Sequence, residues 1–192
     1  MKCLFVFVVG IWMGLSGLPE TLAGEILQLG DPLPSITLPA PESPAQQAYL
    51  GISGDVTFRI PQIQAKVVII EIFSMYCPHC QREAPTVNQL YEKIENTPLL
   101  KGTLKLIGIG VGNTQFEVDV FRKRYQIPFP LFPDGDFVIH KAFKEVRTPC
   151  FIGVRLNKDG TDRVIYCKVG PLGGVDQFLD LILKRLGIEQ EK

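Results

Sequence analysis

The sequence predicts an α/β fold with a mixed central sheet, and three observations carry that prediction. Two continuous apolar runs, residues 66–73 and Leu104–Val111, are rich in β-branched residues and read as strands buried on both faces. Each is followed by apolar residues at helical spacing, the pattern of a parallel crossover. Towards the C-terminus two further strand-like runs flank Asn157-Lys158-Asp159-Gly160, the pattern of an antiparallel hairpin. A chain of 192 residues, 46% of them hydrophobic, is long enough and apolar enough to bury the core of one such domain.

Taken in order, the chain opens on a basic residue, Lys2, and an apolar run from Cys3 to Leu18. Thr21-Leu22-Ala23 then precedes Gly24. A basic start, a short apolar stretch and small residues describe a cleaved signal peptide over residues 1–23, leaving a domain over 24–192. The alternative, an uncleaved membrane anchor, is disfavoured because the run is short for a bilayer span of roughly 20 residues. Removal of the leader takes Cys3 and Trp12 with it and leaves Cys77, Cys80, Cys150 and Cys167. An even set of cysteines suits an oxidising compartment, here the periplasm. With 20 basic and 20 acidic residues the formal charge is zero, which argues against nucleic-acid or anionic-membrane binding.

Residues 24–65 are Pro-rich, with short strands expected at 36–38 and 56–60 and a loop over 41–47. The strand at 66–73 runs through Ser74–Tyr76 into Cys77-Pro78-His79-Cys80. A helix is expected to start there: Pro78 suits a first turn, and Ala84, Val87, Leu90, Tyr91 and Ile94 recur at helical spacing. After the strand at Leu104–Val111 come a helix over 114–125 with Phe116, Val120 and Phe121 on one side, a short strand at 129–132 and a brief helix over 136–143. Thr148-Pro149 opens a strand at 150–156. A second strand, Arg163–Val169, follows the turn, and an amphipathic helix, Val175–Leu186, closes the chain.

The chemistry sits in the C-x-x-C at the strand–helix junction. Thiol–disulfide exchange needs an attacking thiolate and a nearby thiol that resolves the mixed disulfide. Cys77 lies at the helix end, where unpaired N–H groups favour negative charge, and reads as the nucleophile. Cys80, one turn in, reads as the resolving thiol. His79 between them can stabilise the Cys77 thiolate. Glu71 is a carboxylate in an otherwise apolar strand; buried, its pKa would rise and it could relay a proton to Cys80, whereas at the strand end it would reach solvent. Glu83, on the same helical face as Cys80, either tunes a thiol or solvates the helix. Thr148 and Pro149, with Tyr76 and Pro78 beside the nucleophile, form the expected binding surface for a partner polypeptide. No cofactor is called for. A structural zinc is disfavoured, because there is no second C-x-x-C and the remaining histidine is His140. Two rival readings are a copper-binding delivery module, with Cys77, His79, Cys80 and Met75 as soft Cu(I) ligands, and a redox-inert interaction domain.

Residues 66–85, KVVIIEIFSMYCPHCQREAP, resemble the active-site segment of exported thioredoxin-like proteins of the TlpA/ResA type, which show a strand, C-x-x-C and then Glu-x-Pro, here Glu83-Ala84-Pro85. The similarity extends over roughly residues 30–186, through Ile127-Pro128-Phe129-Pro130, Thr148-Pro149 and Asp159-Gly160. It implies a thioredoxin-like fold, an exported location, exchange with protein thiols and disulfides, a soluble or membrane redox partner, and a cis Pro149. The CPHC motif and Glu71-Ile72-Phe73-Ser74 look instead like DsbA, an oxidant, but the chain has no room for DsbA's inserted helical domain, and Tyr76 stands where Trp often precedes the first Cys. Frame and dipeptide thus point in opposite directions of electron flow. The P-x-x-x-T-x-x-C pattern of the peroxiredoxin relatives is absent. A four-residue loop at Asn157–Gly160 would also set Cys150 directly opposite Cys167, close enough for contact or for a second disulfide; two buried free thiols are the alternative.

Overall fold

The computed structural model describes residues 27–54 and 56–188. The expected signal peptide lies outside the described residues. In chain order the elements are β1 (Thr37–Pro39), α1 (Pro44–Leu50), β2 (Thr57–Arg59), a 3-10 turn (Ile60–Gln62), β3 (Val67–Phe73), α2 (Pro78–Asn96), α3 (Pro98–Lys101), β4 (Leu104–Val111), α4 (Gln115–Tyr125), β5 (Leu131–Asp134), α5 (Val138–Ala142), β6 (Cys150–Arg155), β7 (Arg163–Val169) and α6 (Val175–Leu186).

The main sheet has the order β5-β4-β3-β6-β7. Strand β3 pairs in parallel with β4, and β4 with β5, while β6 runs antiparallel to both β3 and β7. The predicted mixed sheet, with parallel crossovers first and a hairpin last, is therefore the observed one. Because side chains alternate along a strand, β3 supplies two different cores. Val67, Ile69 and Phe73 pack with Ala84, Val87, Leu90 and Ile94 of α2, Val118 and Phe121 of α4 and Phe178 and Ile182 of α6. Val68, Ile70 and Ile72 face the other way, against Leu38 and Phe58 of the small β1–β2 sheet, Leu50 of α1 and Ile139 of α5. Glu71 falls in the first set by alternation, on the side of the sheet that α2 covers.

Four expectations need correction. Residues 41–47 are not a loop throughout: Pro44 starts α1 at its first turn, a position where the missing N–H costs nothing, and Gly51 ends the helix in the left-handed region at φ 69°. A four-residue helix, α3, was not expected at all. The buried side of α4 is Val118 with Phe121, while Phe116 is 75% exposed and Val120 is partly exposed; Phe121 stacks on Phe73 at 4.7 Å between ring centroids, and that contact sets the phase of the helix. Finally, Cys150 pairs with Val169 and Cys167 with Ile152, not with each other. The register shifts between Gly153 and Val154, where a bulge offsets the two strands. The two cysteines are therefore diagonal neighbours on one face of the hairpin.

Helix α4 is capped by Thr114, whose Oγ1 accepts the Glu117 N–H while the Glu117 carboxylate accepts the Thr114 N–H at 2.7 Å. We expect Thr114→Ala to lower the free energy of unfolding by about 1 kcal/mol, measured by urea titration. Helix α2 carries Pro85 in its interior. Proline has no N–H, so the Gln81 carbonyl four residues earlier loses its helical donor.

Candidate active site

Strand β3 ends at Phe73 and delivers a short loop, Ser74–Tyr76, to the N-terminus of α2. The loop is held from both sides. Asn113, two residues past the end of β4, accepts the Met75 N–H through Oδ1 at 2.8 Å, and Gln81 Nε2 donates to the Met75 carbonyl at 2.8 Å. The Cys77 N–H donates to the Ser74 carbonyl at 3.0 Å. Sequence reading missed both Asn113 and Gln81; the only signal was a polar residue right after a buried strand.

Cys77 is the N-cap residue of α2, with extended backbone, and Pro78 takes the first helical position. Its sulfur accepts the Cys80 N–H at 3.4 Å, so one of the orphan donors of the helix end points at the reacting atom. Cys77 is partly exposed, whereas Cys80 is fully buried. Burial opposes ionisation of Cys77, but hydrogen bonds with the Thr148 side chain, with the Cys80 thiol and from the N–H groups of Cys80 and His79 outweigh it, and its pKa falls below the ordinary thiol value. Burial drives the Cys80 pKa strongly upward, helped by its bond to Cys77 and by the charges of Cys77 and Glu71. One sulfur is thus prepared to attack and the other is kept protonated.

Glu71 is 2% exposed, with Oε1 buried and lacking a protein hydrogen-bond partner. The carboxyl is inside the sheet and does not reach solvent. Burial first, then the charges of Glu83 and Cys77, push its pKa up to about 8. Glu83 is also buried, and its Oε1 accepts the Leu172 N–H at 2.9 Å, tying α2 to the segment before α6. That bond spans 89 residues of sequence, and no local pattern announces it.

His79 is exposed, and its Nδ1 accepts from Arg82 Nη2 at 2.9 Å. What His79 contributes to the lowered pKa of Cys77 is its backbone N–H. The ring of Tyr76 is exposed and its hydroxyl donates to the Glu117 carboxylate, which joins the loop to the cap of α4. Pro78 is exposed beside Cys77, and Pro149 is buried. The Thr148–Pro149 peptide bond is cis, and the Thr148 carbonyl lies 3.5 Å from Cys77 Sγ, in position to accept from the thiol. The structure therefore gathers Cys77, Cys80, Glu71, Glu83, Thr148 and Pro149 around one helix tip. Among the described residues no group of three or more His, Cys, Asp or Glu side chains is placed to hold a metal ion.

The sequence pattern of the AhpC/TSA family matches residues 29–166. The chain belongs to the AhpC/TSA family. Among curated relatives it is 26% identical over 85 residues to the thiol-disulfide oxidoreductase ResA of Geobacillus thermodenitrificans, covering 44% of this chain and 46% of that protein. It is 24% identical over 128 residues to ResA of Halalkalibacterium halodurans, covering 66% and 68%. This AhpC/TSA chain spans about half the length of most of the curated relatives it matches. Among solved structures, a thiol:disulfide interchange protein of the thioredoxin family from Chlorobium tepidum superposes with a TM-score of 0.57 at 20% identity, over 82% of this chain and 97% of that one. That likeness shows the thioredoxin-like fold. Family, relatives and fold together bear out the resemblance to redoxins of the TlpA/ResA type.

Proposed function

We propose that this protein is an exported thiol–disulfide oxidoreductase that exchanges disulfides with partner proteins through Cys77 and Cys80. The observation that carries the reading is the pair itself: a partly exposed sulfur at a helix N-cap, accepting the N–H of a fully buried cysteine three residues on. The ResA relatives support the same chemistry by name. Export rests on Lys2, the apolar run to Leu18 and the small residues at Ala23 and Gly24. Among the described residues no helix is long and apolar enough to cross a membrane.

In the reducing direction the Cys77 thiolate attacks one sulfur of a partner disulfide. A Cys77–partner bond forms, the partner's own S–S bond breaks, and the second partner sulfur leaves as a thiolate. Cys80 then gives up its proton, for which the buried Glu71 is the acceptor in its ionised form, and its sulfur attacks Cys77 Sγ. The Cys77–Cys80 bond forms and the partner departs with both sulfurs reduced. The oxidising direction is the same sequence reversed. Thr148 presents backbone next to Cys77, where an extended partner segment can pair with it, and Tyr76 and Pro78 border that surface. His79 and Glu83 act as positioning residues, the first through its N–H to the thiolate and the second by anchoring α2.

The test is to assay the purified protein for reduction of insulin disulfides and for oxidative refolding of a reduced, disulfide-containing substrate. Catalysis in at least one assay is expected, and none in either overturns the reading. The reduction potential of Cys77/Cys80 then sets the direction. A value near about −270 mV marks a reductant and one near about −120 mV an oxidant.

A further inference from the structure

The hairpin that carries the Thr148–Pro149 bond also carries two sulfurs that the reaction above does not use. Cys150 Sγ and Cys167 Sγ lie 4.0 Å apart on one face of β6–β7, and both are free thiols. Cys150 is fully buried and packs with Ile72 and Ile152, on the side of the sheet opposite to Cys80. Cys167 is partly exposed on β7, an edge strand. Among the described residues the segment Gly30–Leu33 pairs with that edge near Asp162–Val164, through bonds such as Gly30 N–H to the Val164 carbonyl at 2.8 Å.

Buried cysteine packs well as a small hydrophobe, but this pair has a further feature. These two are in direct contact, one sealed in the core and one reachable at the rim, about 2 Å short of a bond. Cys80 and Cys150 belong to the cores on opposite faces of the sheet, so the two pairs are built as separate sites. Yet the backbone connects them closely. Cys150 is two residues from Thr148, whose carbonyl meets Cys77, and the Gly170 N–H at the end of β7 donates to the Pro149 carbonyl at 2.8 Å.

We propose that Cys150 and Cys167 form a second thiol–disulfide site, which exchanges with low-molecular-mass disulfides from the sheet face away from Cys77. Cys167 is the attacking thiol and Cys150 the resolving one. The Cys167 thiolate attacks one sulfur of the small disulfide, forming a mixed disulfide and expelling the other half as a thiolate. Cys150 then loses its proton and attacks Cys167 Sγ; the Cys150–Cys167 bond forms and the second half leaves as a thiolate. Two protein thiols are oxidised and one disulfide is reduced to two thiols, which take up the two protons released. The hydrogen bond from Cys150 favours charge on Cys167, against the opposing effects of burial and of Asp31, and the same bond together with burial disfavours charge on Cys150. The roles follow from exposure: Cys167 is the thiol a small disulfide can reach, and Cys150 is the buried one. This site stands on its own geometry and not on the role of Cys77.

The experiment uses the full chain, as wild type and as the double variant Cys77→Ser/Cys80→Ser, equilibrated in buffers of rising glutathione disulfide, acid-quenched and mapped by peptide mass. We expect a peptide pair linked through Cys150 and Cys167, with loss of two hydrogens, in both proteins. In Cys150→Ser we expect a glutathione adduct trapped on Cys167, at least tenfold more abundant than the adduct on Cys150 in Cys167→Ser. Absence of the linked pair from the wild type under fully oxidising conditions overturns the proposal, as does adduct formation on Cys150 in preference to Cys167. Because the wild type reports on the link, a variant that fails to fold does not obscure the result. Linkage at 150–167 with no catalysis in either the insulin or the refolding assay would sink the function proposed above and leave this site standing.

Discussion

Cys77→Ser is expected to lower disulfide exchange with protein substrates by a factor of about 10³ or more, whichever direction is assayed. The reason is chemical rather than structural. A serine hydroxyl keeps the N-cap geometry and can still accept the Cys80 N–H, so the helix end survives the change. What is lost is a group that ionises in the neutral range and forms a bond to sulfur. Cys80→Ser should behave differently. Attack by Cys77 still occurs, but nothing resolves the product, and the protein accumulates as a mixed disulfide with its partner. Non-reducing gels after acid quenching separate the two outcomes. A trapped adduct with Cys77→Ser and none with Cys80→Ser would reverse the assigned roles. Unaltered activity in Cys77→Ser would remove the active site altogether.

Glu71→Gln is expected to change how stability depends on pH. In the folded protein, burial and then the charges of Glu83 and Cys77 raise this carboxyl to about 8, from the ordinary 4.5. Between those values the native state holds a proton that the unfolded chain has released. Stability therefore falls as pH rises through that window, and the penalty is complete above about pH 8. For a fully buried group this amounts to roughly 3–5 kcal/mol. Glutamine has no such titration. The difference in unfolding free energy, variant minus wild type, should rise from pH 5 to pH 9 and level off beyond it. An added buried amide costs about 1–3 kcal/mol where it lacks a partner, so the slope is the diagnostic and not the value at one pH. Urea midpoints across the range give the measurement, and an identical slope in both proteins would place the titrating group elsewhere. The same variant removes the proton acceptor for Cys80. We expect release of partner from the mixed disulfide to slow by about 10²-fold at alkaline pH, while the first attack by Cys77 is less affected.

The active-site half of the molecule was legible because its signals are local. An apolar run, a C-x-x-C and a helical repeat lie consecutively in about thirty residues, and each constrains the next. β4, β7 and α6 were placed to the residue because uninterrupted apolar runs or a regular amphipathic period bound them. What could not be read depends on contacts between distant segments. α1 hides in a proline-rich stretch whose polar residues suggest a loop. Phe116 and Val120 look like core, and only the stacking of Phe121 on Phe73 shows that they turn outward. The last hairpin departs from a four-residue turn twice: Arg155 already pairs with Arg163, one residue off, and the bulge between Gly153 and Val154 adds a second, so Cys167 no longer opposes Cys150. Within the site, Glu71 was suspected from its position, but that it lies inside the sheet and not at its end follows from α2 closing over it. Asn113 and the Glu83–Leu172 bond became visible only once β4 and the segment before α6 were brought to the helix tip.

Pro85 gives α2 two mechanical parts. Beyond it, Val87, Leu90 and Ile94 are locked into the core against the sheet. Before it lie about two turns, capped by Cys77 and carrying Cys80, with one fewer backbone bond to the rest. Side chains hold these turns in its place: Cys80 and Ala84 pack in the core, and Glu83 accepts the Leu172 N–H. The reactive end of α2 is therefore positioned by tertiary contacts as much as by its own backbone ladder, so that packing and the Glu83 bond fix where the two sulfurs stand.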